Sequence, residues 1–240
     1  AFGLVDGGAD TVVDALIAAC PVVMAPAFCF EPNWAPPADD RPLRNGCDYA
    51  YYDGWNRPRV PWVVETASID LKMGAVPRAL AARPGTSWSD HPWHSWLAHG
   101  DGADALVSPH PWDTTNLPLE RLEAREGLVL FLGVGLASCT AVHVAEERAG
   151  RRPFVRWMVD HDDRVRRICV AGCSKGFDRL EPYCADLMTR ARIGEANVAA
   201  APLAALIDRC ASVMRENPRL TVCSATCLRC RDAVLGGPEE

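Results

Sequence analysis

The residue of this chain best placed to move a proton is His143, in the run FLGVGLASCTAVHVAEE at residues 131–147. Imidazole titrates near neutrality, so it can take a proton from an incoming nucleophile, and the positive end of a helix dipole disfavours its charged form. Thr140 and Glu146 flank it at T-x-x-H-x-A-E spacing, a hydroxyl and a carboxylate in one short stretch. Cys139 offers a rival chemistry: a thiol beside a helix start can be acylated first in a ping-pong route. Its apolar neighbours favour a structural role instead. By pattern alone, a lone histidine among alanines and valines is more often a satisfied, partly buried residue than a catalyst.

Two elements must position His143. The apolar run at 127–132 is predicted as a strand buried on both faces, ended by Gly133, Gly135 and Ser138. A helix follows, capped by Ser138 or Thr140 and built from Ala141, Val142, Val144 and Ala145, so His143 falls within its first turn or so. Upstream, Asp6-Gly7-Gly8 leads into an amphipathic helix over 9–20, with Asp10 as its cap and Val12, Val13, Leu16 and Ile17 as its apolar face. Backbone N–H groups at such a helix start bind phosphate readily, although an ordinary loop–helix junction looks the same.

Three further stretches carry reactive side chains. Residues 88–96, WSDHPWHSW, are dense in His, Ser and Trp, but His91, His94 and His99 lack the i, i+4 spacing of a helical zinc pair and Pro92 interrupts any helix. The tail holds Cys223, Cys227 and Cys230 as C-x3-C-x2-C, one thiol short of a closed zinc site. The sequence is therefore read as holding no metal. The segment 31–70 combines Trp34, Tyr49, Tyr51, Tyr52, Trp55 and Trp62 with Glu31, Asp48 and Asp53. It is too aromatic for a disordered linker, and reads either as a lid that receives a cation or as a loop pinned down by its rings.

The run LGVGLASCTAVHVAE, together with SDHPWHS at 89–95 and GGADTVVDAL at 7–16, resembles the aminoglycoside 3-N-acetyltransferase family. The resemblance covers nearly the whole chain and implies an α/β fold, a three-layer α/β/α sandwich, in one domain over 1–240. It implies acetyl-CoA as cosubstrate, bound by Asp6, Gly7, Gly8, Ser89 and His91. His143 would be the general base, with Thr140 and Glu146 beside it, and an aminoglycoside amine would attack directly. Glu31, Asp53 and Asp90 are expected to bind the polycationic substrate. Members usually begin with a further helix, a strand and a His-Ser-Ser-type loop, so this chain is expected to lack the family's first strand and loop. Two departures stand out: Trp88 where an arginine usually precedes the serine, and Cys169 and Ala171 where members place acids that orient the histidine. Either another carboxylate, such as Glu146 on the same helix or Asp178 after the turn, supports His143, or the base works without an acidic orienter. These departures also leave open a catalytically silent relative, or an acetyltransferase for another amine.

Composition agrees with an enzyme of this size. The chain has 240 residues, 49% hydrophobic and 23% charged, enough to bury one sizeable core. A net charge of −6 argues against a nucleic-acid partner and suits a polycationic small molecule. No stretch approaches the roughly 20 apolar residues of a spanning helix and no signal peptide is evident, so no membrane partner and a cytoplasmic location are expected. Eleven cysteines, an odd number scattered through apolar runs, read as reduced thiols. The remaining pattern predicts a strand at 21–30, a helix at 73–82, short helical pieces at 100–106 and 119–125, a solvated hairpin at 148–167, a strand and turn at 168–177, and helices at 180–191 and 200–215.

Overall fold

Alternating apolar runs and helix formers produce nine strands and eight α-helices among the residues that the computed structural model describes, 3–240. The strands are β1 (Val22–Pro26), β2 (Asn33–Trp34), β3 (Ser87–Trp88), β4 (Trp96–Gly100), β5 (Leu128–Leu132), β6 (Phe154–Val159), β7 (Val165–Val170), β8 (Thr189–Ile193) and β9 (Ala196–Pro202). The helices are α1 (Gly8–Ala19), α2 (Ala75–Ala81), α3 (Ala103–Val107), α4 (Leu117–Glu123), α5 (Ala141–Arg148), α6 (Glu181–Cys184), α7 (Leu203–Glu216) and α8 (Leu228–Val234). The fold is mixed α and β, as the sequence implies. Among the described residues the strands form three antiparallel sheets of three, ordered β1-β4-β3, β2-β6-β7 and β5-β9-β8, rather than one continuous layer.

The largest apolar cluster lies between α5 and α7. Ala141, Val142, Val144 and Ala145 of α5 meet Leu203, Leu206, Ile207 and Met214 of α7, with Phe177 and Leu180 beside them. On α7 these residues sit at the three- and four-residue spacing that gives a helix one apolar face. The packing fixes the axis of α5 and hence the position of His143. A second cluster joins Val13 and Ile17 of α1 to Leu80 of α2 and Leu97 of β4, as the apolar face of the first helix predicts.

Several expectations are corrected. β5 is not buried on both faces: among the described residues it pairs with β9 alone, and Leu128 and Leu130 are 59% and 44% exposed. Asp10 does not cap α1; Gly7 stands at that position with φ of 77°, and Asp10 pairs with Arg83 at 3.1 Å. The helix expected over 180–191 breaks into α6, a 3-10 turn and β8, and residues 200–202 belong to β9, because alanine-rich runs carry no period to separate strand from helix. The hairpin over 148–167 is solvated at its turn, 161–164, and at Arg166 and Arg167, but its first strand is not. β6 is the middle strand of its sheet, and Arg156 and Trp157 are buried beneath the segment 31–70.

That segment is held down by its own groups. Trp157 Nε1 donates to Asp40 Oδ2 at 2.6 Å, Arg156 Nη1 donates to the Asn45 carbonyl at 3.0 Å, and the Asn45 amide exchanges hydrogen bonds with the Val155 backbone. The guanidinium of Arg57 lies 4.1 Å from the Trp55 ring centre, Arg59 lies 5.2 Å from Trp34, and Arg41 lies 5.3 Å from Tyr49. Cations from the chain itself occupy these aromatic faces. Of the two readings of the aromatics, pinning the loop is the one this geometry favours.

Candidate active site

α5 begins one residue after Thr140, following a 3-10 turn over Leu136–Ser138. His143 is its third residue, within the first turn as predicted, and its N–H bonds the Thr140 carbonyl at 2.9 Å. The Thr140 hydroxyl makes no capping bond. The histidine is 8% exposed, and its ring rests edge-on against Phe177, with centroids 4.8 Å apart.

A helix brings residues three apart onto one face. Glu146 accordingly reaches back, and its Oε2 lies 2.6 Å from His143 Nδ1. Its other oxygen, Oε1, accepts from Arg151 Nη1 at 2.7 Å. Arg151 is itself fixed, donating to Thr221 Oγ1 at 2.9 Å and to the Pro218 carbonyl at 2.6 Å. Burial alone would raise the Glu146 carboxyl, but the bonds from His143 and the charge and bonds of Arg151 outweigh it and hold the group below its ordinary value. Glu146 is therefore an anion at neutral pH, and an anion facing Nδ1 favours the tautomer with its proton on Nδ1. Nε2 is then left with a free lone pair.

Of the two carboxylates considered as supports, Glu146 is the one in contact with His143. Asp178 instead accepts from the Ala137 N–H at 2.8 Å in the loop before α5. Beside Ala171, a Cβ at Gly172 would lie 3.1 Å from Glu146 Oε2, so a larger residue there would crowd the carboxylate. His143, Glu146, Glu147, Arg152, Ala171 and Gly172 line a small cleft.

Other expected site residues are dispersed. Ser89 and His91 are fully buried. Ser89 Oγ accepts from the Trp96 N–H at 2.8 Å, and His91 Nδ1 accepts from the N–H groups of Trp93 and His94 at 3.2 and 2.9 Å. Side chains turned inward in this way organise their own loop. Asp6, Gly7 and Gly8 lie at the exposed start of α1. Glu31 is exposed, Asp53 pairs with Arg41 at 3.6 Å, and Asp90 accepts from Trp62 Nε1 at 2.6 Å. Of the three acids expected to bind substrate, Asp53 and Asp90 thus engage different partners.

Sequence reasoning misses two groups. Arg151 falls in a run that reads as solvated; nothing local marks it, because its partners lie five and 70 residues away. His94 and His110 join His91 in a buried imidazole cluster, with the His91 ring 6.0 Å from His94 and 4.6 Å from His110. Desolvation lowers all three, His110 to about 4, and keeps them neutral. His94 Nε2 accepts from the Ala171 N–H at 3.1 Å and so fixes the backbone beside Gly172.

The site and fold first define a class: a mixed α/β protein whose histidine, backed by a carboxylate and an arginine, is suited to drawing a proton from a nucleophile. A sequence model described as aminoglycoside 3-N-acetyltransferase matches residues 1–215. The chain is 35% identical over 160 residues to aminoglycoside N(3)-acetyltransferase IX of Micromonospora chalcea, covering 63% of this chain and 54% of that protein. It is 37% identical over 157 residues to aminoglycoside N(3)-acetyltransferase VIII of Streptomyces fradiae, covering 62% and 52%. The chain spans about half the length of these curated relatives. The solved structure of aminoglycoside acetyltransferase AAC(3)-IIb superposes with a TM-score of 0.69 at 26% identity, covering 90% of this chain and 87% of that one. This chain belongs to the aminoglycoside 3-N-acetyltransferase family. No helix among the described residues is long and apolar enough to cross a membrane.

Proposed function

We propose that this chain transfers an acetyl group from acetyl-CoA to an amine of an aminoglycoside, with His143 Nε2 as the general base. The observation that carries this reading is the 2.6 Å bond from His143 Nδ1 to Glu146, because it leaves Nε2 as the basic atom of the ring. Family membership and the activities named for the two curated relatives support the substrate class. We also read residues 1–240 as one acetyltransferase domain of the three-layer α/β/α type, supported by the likeness to AAC(3)-IIb over 90% of the chain.

Acetyl-CoA supplies an activated thioester carbonyl. The chain supplies the proton acceptor: as the amine bonds to the carbonyl carbon, Nε2 takes the proton it loses, Glu146, held in place by Arg151, stabilises the resulting imidazolium, and the imidazolium gives that proton to the thiolate released when the C–S bond breaks. The Thr140 hydroxyl and nearby N–H groups are the donors we assign to the developing oxyanion. Direct transfer is favoured over an acyl-enzyme because burial pushes the Cys139 thiol up to about 11, and a protonated, 6% exposed thiol is a poor nucleophile. The start of α1 fits the coenzyme phosphates, since a Cβ at Gly8 would meet nothing within 4 Å and the turn is open to solvent. Exposed acids such as Glu31 and Asp90 remain our candidates for meeting the substrate's ammonium groups.

The test is acetyl-CoA-dependent thiol release across a panel of aminoglycosides, comparing wild type with His143→Ala. The variant is expected to lose about 10²- to 10⁴-fold in kcat, the usual loss on removing a general base. Release at the wild-type rate in His143→Ala would refute the assignment.

A further inference from the structure

The tail cysteines gain the fourth thiol that their spacing lacks. Cys173, in the loop after β7, comes within 3.7 Å of Cys223, and Cys223 lies 3.6 Å from Cys230. Together with Cys227, the four Sγ atoms lie within 4.8 Å of one another. Four thiolates around one zinc at about 2.3 Å occupy tetrahedron corners about 3.8 Å apart, close to the separations seen here. All eleven cysteines are free, and these four come from three separate parts of the chain: the 173 loop, the 223–227 turn and α8.

The approach of the 173 loop to residues 221–223 is enforced by the backbone. A Cβ at Gly176 would lie 2.1 Å from the Thr221 carbonyl and 3.3 Å from the Cys223 nitrogen, so only glycine lets the two segments cross this closely. The Cys223 N–H already points at a sulfur, donating to Cys230 Sγ at 3.4 Å, an interaction that stabilises a thiolate. Arg179 holds the same segment through the carbonyls of Leu220 and Val222. Cys230 is 6% exposed and the other three are half-buried, a setting in which an ion is shielded yet can enter.

We propose that Cys173, Cys223, Cys227 and Cys230 bind one structural zinc ion that clamps residues 173–176 to residues 221–230. This revises the expectation of no metal. Soft thiolate donors select zinc over magnesium or calcium, and a closed set of four leaves no open position for catalysis. Binding releases the four thiol protons and leaves a tetrathiolate centre of charge −2, with no oxidation of sulfur or metal. The clamp lies directly behind the active site. Thr221, two residues before Cys223, accepts from Arg151, which in turn holds Glu146 against His143. Zinc therefore stiffens the support of the catalytic pair without touching it.

The experiment is metal analysis of the full chain purified under reducing conditions from zinc-supplemented medium, followed by replacement of zinc with cobalt. About one zinc per chain is expected, with the charge-transfer and visible d–d bands of tetrahedral tetrathiolate cobalt. Cys227→Ser should lose the metal, Cys227→His should retain it, and Cys20→Ser should leave it unchanged. Where a variant fails to fold, alkylation of the native wild-type protein decides: before chelation Cys173, Cys223, Cys227 and Cys230 should be protected, and after chelation they should react. Sub-stoichiometric zinc after reconstitution, retention of zinc by a folded Cys173→Ser variant, protection of a different set of cysteines, or disulfide bonds among the four in the native protein would each overturn the proposal.

Discussion

Replacing Glu146 by glutamine tests the active-site geometry at its most sensitive point. One carboxylate oxygen accepts from Arg151 at 2.7 Å and the other faces His143 Nδ1 at 2.6 Å. In Glu146→Gln the new side chain has to turn its carbonyl oxygen to Arg151, since two N–H donors cannot face one another. Its amide NH2 then points at Nδ1 and must donate, which moves the ring proton to Nε2 and removes the basic lone pair from the reacting side. The same inversion in a serine protease triad costs about 10⁴-fold, so a loss of about 10²- to 10⁴-fold in kcat is expected here. Arg151, with its side chain 8% exposed, keeps its hydrogen bond to the new amide, so folding should suffer far less than in Glu146→Ala. That variant strands a buried charge, at about 3–5 kcal/mol. The assay is thiol release measured from pH 6 to 9 alongside thermal melts of both variants. A Glu146→Gln protein with wild-type kcat and an unmoved pH profile would show that the histidine does not depend on this tautomer.

Three other outcomes follow from the same structure. Cys139→Ala should keep most of the activity, and rapid-quench mass spectrometry should find no acetyl-enzyme; an acetylated Cys139 would establish the ping-pong route instead. His91, His94 and His110 are lowered by desolvation, so the unfolded chain binds more protons than the native one below the ordinary value of 6.5. Stability should fall as pH drops from there toward about 4, by about 1.4 kcal/mol per pH unit for each histidine, and a melting temperature flat between pH 7 and 5 would contradict it. Gly172→Ala places a methyl group 3.1 Å from Glu146 Oε2, an oxygen that its partner already holds. A displacement of a few tenths of an ångström should lower kcat, though by less than the roughly 10²-fold associated with a 1 Å error, and an unchanged rate would show that the carboxylate has room to move.

Local sequence carries the reading of α5 a long way. A glycine-containing loop followed by Thr140 and an Ala/Val-rich run is enough to start a helix, so the place of His143 in its first turn is legible. Glu146 is legible as one of two possible supports, because a residue on the same helix lies within reach whatever else the fold does. The choice between Glu146 and Asp178 is not legible. It depends on Asp178 being held by the Ala137 N–H and on the backbone leaving space at Gly172.

Burial of charged and aromatic groups marks the boundary more sharply. Arg151 and Arg156 sit in a run whose composition is that of a solvated surface, yet both are buried, because residues 218–221 and 31–70 fold back over them from far away in the chain. The alanines of β9 carry no period of their own, and pairing with β5 and β8 makes them a strand. Cys173 acquires Cys223 as a neighbour across 50 residues. Local residue order settles what one or two turns of backbone can satisfy: the start of α5, the apolar faces of α1 and α7, and the family motifs around His143. Which polar groups lose their water is settled only when the chain closes on itself, because desolvation depends on segments distant in sequence, and the same closure orients Glu146, neutralises the imidazole cluster and gathers the four thiols.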